Sequence, residues 1–296
     1  MPRRFVTLDV FTSTRFAGNP LAVVLDGEGL DAAAMQAIAR EFNLSETVFV
    51  WPPADPSARA RLRIFTPGQE LPFAGHPTVG TAVLLGRIDG GGERQFVLQE
   101  TIGPVPCRVR STGPDSGWAS FEIPRLPGKL ADGPAAGAMA EALGLSVGDM
   151  GLASLPTELW SAGNAFWMVP IRNLDAAARC TANRPHFDKA FRTERGAAAF
   201  MFCRETSDSG NAFHARMFAP EFGIVEDPAT GSAVAAFAGY LAAHGGYADG
   251  THVVRIEQGY EMGRASLIEL TIRIEGGKLQ GASIAGNAVT VLEGTI

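Results

Sequence analysis

Cysteine is scarce, long apolar runs are missing and positive charge is not in excess, and each shortage removes a class of function. The three cysteines, Cys107, Cys180 and Cys203, are far apart and odd in number. They make neither a disulfide framework nor a Cys/His spacing for zinc, which fits a reducing compartment. The longest uncharged stretch, residues 228–248, is rich in Gly, Ala and Ser and is broken by His244-Gly245-Gly246, so no membrane span is expected. Lys plus Arg number 25 against 31 for Asp plus Glu, a net charge of −6. With no basic run, nucleic acid and anionic membranes are poor partners. Met1-Pro2-Arg3-Arg4-Phe5 leads straight into an alternating pattern without an apolar leader core, and a cytoplasmic protein is expected. Gly90-Gly91-Gly92 lacks the Lys-Ser/Thr of a phosphate loop, and no G-x-S-x-G elbow or H-E-x-x-H helix occurs. His186, His214, His244 and His252 are scattered without ligand spacing, so no metal site is expected.

Glycine and proline, at 35 and 19 of 296 residues, are abundant and favour tight turns and short strands over a helical bundle. This length holds one large domain or two of about 150 residues each. Strand patterns cover residues 4–11, 21–25, 44–51, 59–65, 95–100, 106–110, 165–170, 198–204 and 212–219, and recur from 251 to the end. Asp31 caps a helix on which Met35, Ile38, Ala39 and Phe42 share one face, and Asn43 ends it. Pro77 opens an all-round apolar helix to Leu85, and Pro228 opens another to His244. An Ala-rich helix is expected near 134–143, and Pro124-Arg125-Leu126-Pro127-Gly128 reads as a linker. Together these patterns give an α+β fold in which short strands wrap helices.

The chain also repeats itself. Arg63-Ile64-Phe65-Thr66-Pro67 matches Arg216-Met217-Phe218-Ala219-Pro220 at an offset of 153. His76-Pro77-Thr78-Val79-Gly80-Thr81-Ala82 matches Asp227-Pro228-Ala229-Thr230-Gly231-Ser232-Ala233 at 151. Two topologically similar halves related by a pseudo-twofold axis are the economical reading. Each matched segment ends on a helix N-terminus, where unpaired N–H groups favour an anion. If the axis brings both ends together, a small carboxylate fits between them.

Three side chains stand out for chemistry. His76 sits at one helix start, where the dipole disfavours imidazolium. Asp227 holds the matching place in the second half and is also a good N-cap. Glu46 has no counterpart there, because residues 198–203 are apolar. It is either an exposed strand-start residue or a desolvated general base.

Four blocks carry a resemblance: Phe16-Ala17-Gly18-Asn19-Pro20-Leu21-Ala22-Val23, Leu44-Ser45-Glu46-Thr47-Val48-Phe49, Leu71-Pro72-Phe73-Ala74-Gly75-His76-Pro77-Thr78 and Glu226-Asp227-Pro228-Ala229-Thr230-Gly231-Ser232-Ala233. In this order they resemble the phenazine-biosynthesis PhzF-like family over essentially the whole chain. The resemblance implies the diaminopimelate-epimerase-like fold: two similar α+β domains, each a curled, mostly antiparallel β-sheet or barrel around a central helix, with the active site in the cleft. The expected domains are residues 1–126 with 284–296, and 127–283. The resemblance also implies a homodimer with no metal or organic cofactor. The family's founding activity isomerises trans-2,3-dihydro-3-hydroxyanthranilate, moving a proton from C3 to C1. Carried over, Glu46 matches the proton-shuttling acid/base, and His76 and Asp227 match the pair that binds substrate and assists. Gly75 and Ser232 match substrate-contacting positions, and Asn19, Thr230 and Gly231 are taken with them as substrate-binding. An isomerase of a small cyclic or amino carboxylate is the leading expectation. An amino-acid racemase or epimerase on the same fold and a non-catalytic metabolite-binding protein are the alternatives. The usual two-cysteine racemase lacks its thiols in residues 66–82 and 219–233.

Overall fold

A computed structural model describes residues 2–151, 155–194 and 196–296. The chain divides into two compact units, Met1–Pro124 with Ser283–Ile296, and Arg125–Ala282. The first contains β1 (Arg4–Val10), β2 (Asn19–Val24), α1 (Ala32–Phe42), β3 (Glu46–Trp51), β4 (Ala60–Phe65), β5 (Glu70–Leu71), α2 (Gly75–Ile88), β6 (Glu93–Glu100), β7 (Gly103–Ser111) and β8 (Ser116–Glu122). The second contains β9 (Gly128–Asp132), α3 (Ala136–Ala142), β10 (Glu158–Ser161), β11 (Ala165–Pro170), α4 (Leu174–Arg179), α5 (Arg184–Phe191), β12 (Ala199–Cys203), β13 (Phe213–Ala219), β14 (Ile224–Asp227), α6 (Gly231–His244), β15 (Gly250–Gln258) and β16 (Ser266–Glu275). The last strand, β17 (Lys278–Thr295), belongs to the first unit from Ser283 on.

Eight strands of the first unit close on themselves. β2 pairs antiparallel with β1 and parallel with β3, and β4 pairs antiparallel with β3 and parallel with β6. β7 and β8 continue the sheet, and β17 closes it between β8 and β1. A closed sheet leaves no edge exposed. Its interior holds α2, buried from Gly75 to Gly86, as its all-round apolar sequence requires. Gly80 makes the close fit possible, since a Cβ there would stand 2.6 Å from Leu21 Cδ2 and 2.7 Å from Val10 Cγ2. Outside the barrel, Met35 and Ala39 of α1 pack with Val24, Phe49 and Phe65.

The second unit repeats this pairing order. β10 and β11 are antiparallel, β11 and β12 parallel, β12 and β13 antiparallel, β13 and β15 parallel, and β15 and β16 antiparallel. β12 is apolar throughout because both its faces are covered. Phe200 and Phe202 pack on Phe237 of α6, while Ala199, Met201 and Cys203 face Phe187 and Phe191 of α5.

The repeated Arg-x-Phe does the same work twice. The Arg63 guanidinium lies 5.3 Å from the Phe65 ring centroid and donates from two nitrogens to Glu70, at 2.7 and 2.6 Å. Arg216 lies 4.9 Å from the Phe218 centroid and grips Glu226 at 2.7 and 2.8 Å. In each unit the fork ties a strand to the short strand that leads into the central helix.

The expectations depart from this structure in places. α2 begins at Gly75, so Pro77 is its third residue, where an N–H has no helical partner anyway. α6 begins at Gly231, three residues after Pro228. Residues 158–161, 174–179 and 184–191 form elements that periodicity did not reveal, because none is long enough to establish a period. Among the described residues, no helix is long and apolar enough to cross a membrane. Local signals held best at α1, where Asp31 accepts from the Ala34 N–H at 2.8 Å and Asn43 adopts φ 51°. Replacing Asp31 with Ala is expected to cost about 1 kcal/mol in urea unfolding with an unchanged m-value.

Candidate active site

In the first unit, β2, β3 and α2 all present their starting residues at one end of the barrel. Glu46 opens β3 opposite Leu21 of β2, and its side chain is 13% exposed. Glu46 Oε2 stands 3.4 Å from His76 Nε2. His76 lies in the first turn of α2, whose N-cap residue, Ala74, offers no side-chain cap. The Pro20 carbonyl accepts a hydrogen bond from the His76 ring. Nε2 makes no hydrogen bond among the described residues, so the bond to Pro20 comes from Nδ1, which then carries the ring proton. Burial pushes the His76 imidazole down to about 3, and the Pro20 carbonyl opposes this only in part. The ring is therefore neutral, with its Nε2 lone pair turned to Glu46. The sequence points to the helix dipole as a reason for a neutral ring, and burial acts in the same direction. Gly75 and Asn19 are both buried at this same end, as the first residues of α2 and β2.

In the second unit, Asp227 is not the N-cap of α6. It ends β14, and Thr230 occupies the cap position. Thr230 Oγ1 donates to Asp227 Oδ2 at 2.5 Å. Gln258, fully buried at the end of β15, organises the turn: its Nε2 donates to the Asp227 carbonyl at 2.7 Å and to Thr230 Oγ1 at 3.0 Å, and its Oε1 accepts from Thr230 N at 3.1 Å. Gly259, at φ 78°, lets the chain pass Pro228, whose carbonyl oxygen lies 2.6 Å from where a Cβ would sit. Gly231 and Ser232 are the first two residues of α6, and the side chain of its N-cap residue, Thr230, turns to Asp227 and does not cap the helix. The structure thus joins Glu46 to His76, and Asp227 to Thr230. Gln258 was missed because a buried glutamine in an alternating strand has no signature until the strand is placed.

A charged cluster lies beside Asp227. His214 Nδ1 and Nε2 each stand 3.0 Å from a carboxylate, Glu257 and Glu261. Burial would push this imidazole down, but its bonds to Glu261 and Glu257 outweigh burial and raise it. Arg216 also donates to the carbonyls of Ala177 and Cys180, at 2.7 and 2.8 Å, and so caps α4.

A model of the PhzC-PhzF family, phenazine biosynthesis-like proteins, matches residues 8–294. The chain belongs to that family. It is 49% identical to an uncharacterized isomerase of Mesorhizobium japonicum, mll1393, over 99% of this chain and 98% of that one. It is 35% identical to trans-2,3-dihydro-3-hydroxyanthranilate isomerase of Pseudomonas fluorescens, over 99% and 98%. The crystal structure of a PhzF-family phenazine biosynthesis protein from Bacillus anthracis matches with a TM-score of 0.89 and 30% identity, covering 100% of this chain and 99% of that one. By these relationships this PhzC-PhzF protein is an enzyme of the isomerase class.

The two imidazoles should titrate in opposite directions. His76, lowered from 6.5, contributes stability that is complete above about 6.5 and is lost as pH falls toward about 3. His214, raised from 6.5, contributes stability that is complete below about 6.5 and is lost as pH rises through its folded value. Imidazole ¹⁵N spectra at pH 6 are expected to show His76 as the neutral Nδ1–H tautomer and His214 as imidazolium. A His76 ring that titrates near 6.5 would contradict the buried, neutral assignment.

Proposed function

We propose that this PhzC-PhzF protein moves a proton between two carbons of a small cyclic or amino carboxylate, with Glu46 as the general acid/base. The observation that carries this reading is the 3.4 Å approach of Glu46 to a histidine held neutral by burial. A base that takes a proton from carbon must hold it briefly and return it elsewhere. When the Glu46 carboxyl holds that proton, His76 Nε2 offers it an acceptor. Because imidazolium is disfavoured by desolvation, the proton stays on Glu46 for delivery to the second carbon.

In this mechanism the substrate binds as an anion. Carbon deprotonation spreads further negative charge over its conjugated system, and the first-turn amides of α2, which its N-cap residue Ala74 does not cap, are groups suited to meet it. His76 and Asp227 orient the substrate. Gly75, Gly231 and Asn19 contribute close backbone approach or polar contact, and Thr230 and Ser232 contribute hydroxyls. Glu46 then transfers the proton along one face, with no net redox change. trans-2,3-Dihydro-3-hydroxyanthranilate, named for the Pseudomonas fluorescens relative, is the first substrate to test.

A two-thiol racemase finds no support in the cysteines. Cys107, Cys180 and Cys203 are all buried, and burial raises each thiol, to about 12 for Cys180 and Cys203. Thiolates of that kind are absent at neutral pH.

The test is NMR of trans-2,3-dihydro-3-hydroxyanthranilate with the protein in D₂O. Deuterium is expected to enter the ring during turnover, and Glu46→Gln is expected to slow this by about 10²–10⁴-fold while leaving the protein folded. Turnover that survives Glu46→Gln would overturn the assignment of the base. Absence of turnover with the unaltered protein would remove this substrate.

A further inference from the structure

Behind the first turn of α2 lies a carboxyl group that the mechanism does not use. Glu100, the last residue of β6, is 7% exposed, and its Oε1 stands 2.7 Å from Thr78 Oγ1. The same hydroxyl oxygen stands 2.7 Å from the carbonyl of Ala74, the residue at the N-cap of α2. A threonine hydroxyl has one hydrogen. The Ala74 carbonyl can only accept, so one short contact uses the threonine hydrogen and the other needs a hydrogen supplied from elsewhere. A protonated Glu100 supplies it. The chain then runs in one direction: the Glu100 O–H donates to Thr78 Oγ1, and the Thr78 O–H donates to the Ala74 carbonyl.

The surroundings agree with a neutral acid. Thr78 faces Glu100 from α2, and the Cys107 thiol faces it from β7, itself raised by burial and by Glu100. From β4, exposed Arg61 pairs in register with Gln99, the neighbouring residue. Glu100 Oε2 makes no hydrogen bond among the described residues, which suits the carbonyl oxygen of a neutral acid better than an anion. Burial pushes the Glu100 carboxyl up to about 8, with the Thr78 bond opposing. Just beyond Glu100, the Ile102 N–H donates to the Pro72 carbonyl at 3.0 Å and ties the β6–β7 turn to the segment that enters α2.

We propose that Glu100, held as a neutral carboxylic acid, is a positioning residue that latches the first turn of α2 through Thr78 and so sets the place of His76 opposite Glu46. Loss of the Glu100 proton reverses the latch. Thr78 then donates its hydrogen to the carboxylate, the Ala74 carbonyl loses its hydroxyl donor, and a negative charge is left behind the turn. The site therefore has an alkaline limit set by a group that touches no substrate. The sign follows from linkage: a carboxyl raised from 4.5 contributes stability that is complete below about 4.5 and is lost as pH rises toward about 8.

This inference rests on His76 belonging to the active site, but its first test needs no turnover. The intact protein, ¹³C-labelled at glutamate carboxyls and ¹⁵N-labelled, is titrated from pH 5 to 10. The Glu100 carboxyl and the amide signals of Gly75, His76 and Thr78 are expected to move together with one midpoint near 8. Glu100→Gln, a neutral donor of similar shape, is expected to abolish the alkaline movement of His76. Thr78→Val, which removes the relay, is expected to uncouple His76 from Glu100. A Glu100 carboxyl that titrates in the ordinary carboxylate range would overturn the proposal, and so would an alkaline response of His76 unchanged in Glu100→Gln. If Glu100→Gln fails to fold, the titration of the unaltered protein still decides. Where turnover of trans-2,3-dihydro-3-hydroxyanthranilate is measurable, its alkaline limb is expected to disappear in Glu100→Gln. A protein without that turnover but with the coupled titration keeps the latch and loses only the proposed substrate.

Discussion

Everything chemical in the first unit depends on burying the beginning of a helix inside a closed barrel. Helix starts usually face water, which satisfies their free amides. Here the first turn of α2 is enclosed by strands, and its N-cap residue is an alanine with no hydrogen-bonding group to offer. Taking that turn out of water has two consequences. It makes imidazolium too costly at His76, so the ring meets Glu46 as a neutral acceptor. It also leaves the turn without a cap from its own N-cap residue, which is what the proposed anion site requires. A carboxylate drawn into such a place is desolvated as it binds, and that strengthens its interactions with fixed dipoles.

The duplicated architecture supplies the scaffold, and the candidate site residues lie where its copies differ. Both units use the same order of parallel and antiparallel pairings, and in both an arginine grips a glutamate while lying over a phenylalanine. That fork is worth keeping twice because it fixes the short strand feeding the central helix. The candidate site residues do not repeat. β3 begins with Glu46, whereas β12 is apolar from end to end. The start of α2 carries a histidine, whereas the turn before α6 carries Asp227 and is shaped by Thr230 and Gln258. The single acid/base proposed at Glu46 would stand on a scaffold built twice.

Legibility followed the range of the interactions involved. The α1 helix was readable at both ends because an Asp cap and a left-handed Asn act within a few residues of each other. The long apolar helices were readable as buried, because nothing else explains hydrophobic residues on every face. The start of α6 was misplaced at Pro228 because its true beginning is set by Gln258, a residue nearly thirty positions later. Glu100 and His214 gave no warning at all. An isolated glutamate at a strand end and a histidine in an alternating strand are ordinary residues until folding surrounds them.

By itself, the sequence determined the α+β class and the duplication, and it singled out Glu46, His76 and Asp227 as candidates for chemistry. These follow from periodicity, from a constant offset and from short motifs, all carried by neighbours along the chain. Only the tertiary structure decided the ionisation states. Whether His76 is charged, whether His214 is, and which way the hydrogen bonds run at Thr78 depend on which atoms surround a buried group. Strands far apart in sequence supply those atoms, and desolvation acts on whatever has been enclosed.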